Sequence, residues 1–178
     1  MMRPTARIAA VALSALFVAG CVESSGPLLK NARPLFGEQL RLQFYTLRHG
    51  VADEPEQASY KWDGARYTHA SGGMEDVSAF TVHQVAGDVL IVQSFSTKRP
   101  QIVEYAVARK LTDGVYQVAG LDEDDAPRPL RARLCRRTDD SHCRIATRTA
   151  LLEFARATAR QRKGQGGLVL HLADQPSR

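Results

Sequence analysis

The chain has 178 residues, with 24 lysines and arginines, 19 acidic residues and a formal net charge of +5 at pH 7. This length suits one ordinary domain with its own hydrophobic core. So small an excess of positive charge is not the balance of a nucleic-acid-binding protein, and we expect no nucleic-acid partner.

The N-terminal residues are typical of an export signal. Arg3 and Arg7 precede an uncharged, mostly apolar run of 13 residues from Ile8 to Gly20. This run is shorter than the roughly 20 apolar residues that cross a bilayer, and it fits the hydrophobic region of a secretory signal peptide. The alternatives are an uncleaved helix, or an ordinary signal that leaves Cys21 unmodified.

The signal ends in Val18-Ala19-Gly20-Cys21, which resembles the bacterial lipobox, although Val18 stands where Leu is more usual. The resemblance implies that residues 1–20 are removed and that Cys21 carries lipid, including palmitate. The mature protein would then be attached to a membrane through its N-terminal lipid. Because Val22 and not Asp follows the cysteine, the resemblance implies an outer-membrane lipoprotein facing the periplasm, with the inner membrane as the alternative.

The mature chain divides into a short leader and one domain. Residues 21–35 contain turn residues and no useful hydrophobic period, which predicts a flexible tether before a single domain over residues 36–178. Within the domain, Leu40, Leu42 and Phe44 alternate with polar residues, as in a half-buried strand. Similar runs follow at intervals of about 12 residues. The pattern predicts a mainly β (α+β) fold, an antiparallel meander or small barrel-like sheet of about seven to nine strands.

The strongest local turn signal is Asp63-Gly64, a favoured two-residue hairpin turn. This turn predicts that Trp62 lies opposite Ala65 and that Tyr60 lies opposite Tyr67. The three aromatic side chains would then share one face of the hairpin. Such a face can pack in the core or can bind a flat ligand such as a sugar.

One helix is predicted, over residues from about 148 to 163 and packed on the sheet. Its apolar stripe consists of four residues at helical spacing: Leu151, Phe154, Ala155 and Thr158. Arg156 and Arg160 lie on roughly the opposite side, near the C-terminal end, where the helix dipole favours positive charge.

Cys135 and Cys143 form an even pair once Cys21 is assigned to lipid, so an exported chain is predicted to contain a Cys135–Cys143 disulfide. A zinc site that also uses His142 and Asp140 is disfavoured, because adjacent His and Cys side chains fit a tetrahedron poorly. We therefore expect no metal.

Basic residues are concentrated late in the sequence. Residues 21–127 have 10 basic and 15 acidic side chains, whereas residues 128–163 have 11 basic and 3 acidic ones. A basic pole of this kind can face anionic lipid headgroups or an acidic partner, or it can be a solvated surface. The possible partner-binding positions are Arg136, Arg137, His142, Arg156 and Arg160.

The sequence contains no catalytic pattern of useful specificity: no G-x-S-x-G, H-E-x-x-H, phosphate-binding glycine loop or C-x-x-C. We therefore predict no catalytic residues and no cofactor. The leading hypothesis is a non-catalytic, lipid-anchored envelope protein that binds a protein or an envelope polymer through its periplasmic β domain. One alternative is an inhibitor or exclusion factor that acts on a hydrolase or phage component through the loop from Arg136 to His142. The other is a hydrolase with scattered catalytic residues.

Overall fold

The computed structural model describes residues 22–48, 51–52, 54–71, 77–137, 142–161 and 168–172. The predicted signal peptide, Cys21 and the predicted end of the helix at residues 162–163 lie outside these ranges. The strands are β1 (Val22–Ser24), β2 (Gln39–Arg48), β3 (Val51–Ala52), β4 (Glu56–Trp62), β5 (Tyr67–Ser71), β6 (Val77–Ala86), β7 (Val89–Ser96), β8 (Val103–Thr112), β9 (Val115–Gly120), β10 (Arg136–Arg137), β11 (Cys143–Arg144) and β12 (Leu168–Leu172). The helices are a 3₁₀ turn at Glu123–Asp125, α1 (Arg128–Leu134) and α2 (Arg148–Gln161).

The body of the fold is an antiparallel meander, as the sequence predicted. Strand β2 pairs with β4, and β4 to β9 then pair with one another in chain order. The last strand, β12, lies between β9 and β2 and pairs with both. The fold is therefore mainly β, with the meander curled into a barrel-like sheet.

The inner face of this sheet holds one hydrophobic core. Leu40, Leu42 and Phe44 of β2 are buried there, as their alternation predicted. Tyr67 and Phe80 stack in the same core with their ring centroids 5.3 Å apart. The aromatic face of the hairpin therefore packs in the core, the first of the two roles that the sequence allowed.

The turn between β4 and β5 differs from the prediction. Trp62 pairs with Tyr67, so that four residues and not two connect the strands. The carboxylate of Asp63 accepts hydrogen bonds from the backbone N–H groups of Ala65 and Arg66, both at 2.9 Å. The four-residue turn would otherwise leave these two N–H groups unpaired. Because the carboxylate accepts from both, it stabilises the four-residue turn relative to the two-residue turn.

A second core lies on the outer face of the sheet, beneath α2. The predicted stripe of Leu151, Phe154, Ala155 and Thr158 is buried there. Thr147 begins the helix, because its hydroxyl oxygen accepts a hydrogen bond from the backbone N–H of Ala150 at 3.2 Å. The helix therefore starts where the sequence placed it.

The sequence did not predict α1. It begins directly after Pro127, with Pro129 in its first turn. Proline is compatible with the first turn of a helix, where its missing N–H would have no partner within the helix. Because two prolines close together also signal a loop, the pattern alone favoured the wrong reading.

The predicted tether over residues 21–35 is wrong in its described part. Strand β1 pairs antiparallel with β8 and parallel with β11, and its three residues are no more than 2% exposed. Leu29 is also buried, and the side-chain amide of Gln93 both donates to and accepts from its backbone. A three-residue strand is too short to show a period, and its partners are remote in sequence, so the pattern could not reveal it.

Candidate anion-binding groove

Two neighbouring cavities lie along α2 on the outer surface, and we call the two together the groove. Its first cavity, of about 210 Å³, is lined by that segment, by residues 82–85 of β6 and by the first turns of α2. Its second cavity, of about 490 Å³, is lined by residues 86–89, Arg109 of β8 and the C-terminal half of α2. Residues 85 and 86 are adjacent in the chain, so the two cavities are neighbours.

Helix α2 supplies one wall of the groove. Arg148, Leu152, Arg156 and Arg160 recur every four residues, so each lies near the next on the helix surface, and together they form the flank of α2 that lines the two cavities. At about 1.5 Å of rise per residue, this flank is roughly 18 Å long. The helix thus buries its apolar stripe and leaves its arginines at the groove.

The first cavity is basic. Lys30, Arg33 and Arg148 line it together with His83, and none of the described residues in its lining is a carboxylate. The three strongly basic side chains belong to two elements that are far apart in sequence. The fold therefore gathers positive charge here that the sequence does not show as a cluster.

The second cavity has a more balanced set of charges. Arg109, Arg156 and Arg160 line it with one acidic residue, Asp88. The Nε of Arg109 donates a hydrogen bond to an oxygen of Asp88 at 3.0 Å. Since this pair satisfies Arg109, the two arginines of α2 carry the remaining positive charge.

The groove's other basic side chains have no acidic partner among the described residues. Within the described part of the chain, no ion pair involves Lys30, Arg33, Arg148, Arg156 or Arg160. By contrast, Arg131 pairs with Asp124 and Arg133 pairs with Glu153 on the surface nearby. The groove therefore keeps positive charge that other parts of the surface neutralise internally.

His83 forms part of the wall of the first cavity. Its Nε2 lies 2.9 Å from the hydroxyl oxygen of Thr81. Burial lowers the pKa of His83 below its ordinary value, and the positive charge of Arg148 lowers this pKa further. Both effects favour the neutral form of the imidazole.

The structure separates the predicted partner-binding positions into two groups. Arg156 and Arg160 line the groove, whereas Arg136, Arg137 and His142 belong to another region. Arg136 is exposed, and Arg137 contributes its backbone to β10. His142 faces inward, with its Nδ1 3.5 Å from an oxygen of Glu23.

The disulfide borders this second region. Cys135 and Cys143 are bonded, with their sulfur atoms 1.92 Å apart and their Cα atoms 4.9 Å apart. The bond fixes both ends of the loop that contains Arg136. It also holds Cys143 in β11, beside β1.

A buried carboxylate lies at the centre of this region. Glu23 accepts hydrogen bonds from Arg144 at 2.7 Å and from Arg99 at 3.1 Å, and Arg99 also pairs with Glu104. We call Glu23, Arg99, Glu104, His142 and Arg144 the Glu23 cluster. Burial alone would raise the pKa of Glu23, but the hydrogen bond from Arg144 and the surrounding positive charges outweigh burial and hold this pKa below its ordinary value.

Sequence reasoning missed five charged or titratable residues of the groove: Lys30, Arg33, His83, Arg109 and Arg148. Lys30 and Arg33 stood in the predicted tether, and Arg148 stood at the start of the predicted helix. No spacing rule links these positions. Only the four-residue recurrence in α2 could have been found from the sequence, and it indicates one wall of the groove.

Comparisons with known proteins do not extend these observations, since no protein-family model, curated protein or solved structure matches the chain. Among the described ranges, no helix is long and apolar enough to cross a membrane. The same part of the chain contains no group of three or more His, Cys, Asp or Glu side chains placed to hold a metal ion.

Proposed function

We propose that the chain is a lipid-anchored envelope protein that binds a protein or an envelope polymer without catalysing a reaction. The observation that carries this proposal is the groove beside α2, where five basic side chains form no ion pair within the described residues. Positive charge of this kind favours a ligand with several negative charges. An anionic polymer, or an acidic segment of a protein, has the required chemistry.

The length of the groove favours an extended ligand. An exposed ion pair contributes only about 0.2–1 kcal/mol, so a single charged group would bind weakly. A chain that spans the flank of α2, roughly 18 Å long, can reach Arg148, Arg156 and Arg160 together. Because these small contributions add along one ligand, an anionic polymer gains affinity that its isolated units lack.

The start of β1 gives the proposed anchor a geometric consequence. Val22 is fully buried, and its backbone N–H donates to the carbonyl of Leu121 at 3.1 Å. Consecutive Cα atoms are about 3.8 Å apart, so a lipid on Cys21 would be attached one residue from the folded sheet. The domain would then rest at the bilayer surface and would hold its groove close to the membrane.

The anchor is tested by Cys21→Ser in the full-length chain expressed in a diderm bacterium. We expect mass spectrometry to find acyl groups on Cys21 of the parent protein, with residues 1–20 removed, and no acyl group on the variant, because the diacylglycerol is attached to the cysteine sulfur. If the parent protein kept residues 1–20 or carried no acyl group on Cys21, the lipobox reading would be wrong.

Ligand binding is tested with full-length protein in a non-ionic detergent and with labelled dextran sulfate, using unmodified dextran as the matched neutral polymer. We expect dextran sulfate to bind with an affinity that falls as salt is raised, and dextran not to bind. Equal binding of the two polymers, or binding of neither, would contradict the proposal.

A further inference from the structure

The two cavities of the groove offer different ligand chemistry. In the second cavity, Asp88 already pairs with Arg109. In the first cavity, Lys30, Arg33 and Arg148 share a space of about 210 Å³, and the described residues of its lining include no carboxylate. The first cavity is therefore smaller than the second and richer in uncompensated positive charge.

The local backbone explains why two of these cations come from one short segment. Asn31 has a positive φ of 57°, a left-handed conformation that asparagine adopts more readily than most residues. The chain bends at this position. Lys30 and Arg33, on either side of the bend, both line the first cavity.

From this arrangement we propose that the first cavity binds a phosphate monoester group, free or carried on a larger ligand. The inference rests on the proposed function, because it names the chemistry of one end of the anionic ligand. A monoester carries between one and two negative charges at pH 7 and has three acceptor oxygens. Two guanidinium forks and one ammonium group match several acceptors, whereas a carboxylate offers two oxygens and a single charge.

His83 gives the site a reporter of its own. The charged groups that line the cavity with this imidazole are Lys30 and Arg33 from the segment 29–35 and Arg148 from α2, while Ile91 is its partner on β7. Burial lowers the pKa of this ring, and the positive charge of Arg148 lowers it further. A bound phosphate offsets these charges and raises the pKa of His83.

The test is an NMR titration of the full-length protein in a non-ionic detergent, following the His83 ring. Inorganic phosphate is added, with sodium acetate at equal ionic strength as the control anion. We expect phosphate to shift the His83 resonances saturably and to raise its pKa, and acetate to do neither. No saturable shift with phosphate, or an equal shift with acetate, would overturn the proposal.

Substitutions locate the site and separate it from the rest of the groove. Arg148→Gln and Arg33→Gln should each weaken phosphate binding about five-fold, the effect of losing one charged contact. The matched variant Arg156→Gln/Arg160→Gln changes only the second cavity and should leave phosphate binding unchanged. Phosphate binding that is lost in the Arg156/Arg160 variant and retained in the Arg148 variant would place the anion elsewhere and overturn the assignment.

A competition experiment distinguishes a phosphate group carried on a lipid from one carried on a soluble molecule. Detergent micelles that contain phosphatidic acid carry a monoester headgroup, and micelles with phosphatidylcholine are the control. Competition by phosphatidic acid would support a lipid-borne monoester, and phosphate binding without such competition would support a soluble one. If dextran sulfate binds but phosphate does not, only the proposed phosphate site is wrong. If phosphate binds but no polymer does, the proposal that the groove binds an extended anionic ligand is wrong.

Discussion

Arginine side chains collect in two regions of this molecule and serve differently in each. In the Glu23 cluster, Arg99 and Arg144 bind a carboxylate that is 2% exposed. In the groove, Arg148, Arg156 and Arg160 face solvent with no ion-pair partner in the described residues. The comparison teaches that the number of arginines does not indicate a binding surface, whereas the absence of internal acidic partners does.

The difference also has an energetic side. A buried charge that loses its partner is left in a poorly solvated place, and removing one member of such a pair costs about 3–5 kcal/mol. An exposed arginine stays hydrated when its neighbours change. We therefore expect substitutions in the Glu23 cluster to affect folding and substitutions in the groove to affect binding.

The largest expected effect comes from Glu23→Ala. This change leaves Arg99 and Arg144 without their shared carboxylate and should lower the free energy of unfolding by about 3 kcal/mol, the lower end of the range because both arginines reach solvent. Urea unfolding followed by circular dichroism measures it. The matched control, Glu153→Ala, removes an exposed pair with Arg133 and should cost no more than about 1 kcal/mol. If both variants lost the same free energy of unfolding, the proposed difference between buried and exposed ion pairs would be wrong.

The next effect concerns the disulfide that borders the cluster. Replacing both Cys135 and Cys143 by serine opens a loop with a sequence separation of 8 residues. The chain-entropy argument predicts a loss of about 2–3 kcal/mol in the free energy of unfolding. The predicted loss is tested by comparing the urea midpoints of the oxidised protein, the reduced protein and the double variant. If the three midpoints were equal, the disulfide would not stabilise the fold.

Acid should weaken the Glu23 cluster. Because the pKa of Glu23 is lower in the folded chain than its ordinary value, the unfolded chain binds more protons, and stability declines as pH falls. The contribution of Glu23 is complete above the unfolded pKa, near 4.3, and is lost as pH falls through the folded value. Melting temperatures of the parent and of Glu23→Gln, measured between neutral and acid pH, should converge at low pH. If the two melting temperatures differed by the same amount at every pH, the predicted direction of the pH dependence would be wrong.

The sequence predicted the fold better than the site. Alternation in β2 and the apolar stripe of α2 could be read directly, because each repeats over a whole element and depends on one buried face. Strand β1 is too short for a pattern, and its contacts with β8 join residues about 80 positions apart. Of the residues that line the groove, Arg156 and Arg160 were among the candidate positions and Arg148 was not, while Lys30, Arg33 and His83 reach it only through the tertiary fold.

The partner-binding positions predicted on the disulfide loop also depend on tertiary contacts that the sequence does not show. Arg136, Arg137 and His142 are close in sequence and looked like one basic patch. The fold turns His142 toward Glu23 and leaves Arg136 exposed. Side-chain direction in a short loop depends on what the loop packs against, and the partner of His142 lies more than a hundred residues earlier in the chain.

The smallest expected effect on stability is the most direct test of the account. Arg156→Glu/Arg160→Glu should lower the free energy of unfolding by no more than about 1 kcal/mol, because both side chains are exposed and only Arg160 lies in the last turn, where the helix dipole favours positive charge. It should weaken dextran sulfate binding about ten-fold or more, since two charged contacts are reversed. Arg128→Glu/Arg136→Glu makes the same change of charge at exposed positions outside the groove and should bind nearly as well as the parent protein. If the two double variants lost affinity equally, net charge and not the groove would explain binding, and the central claim would be wrong.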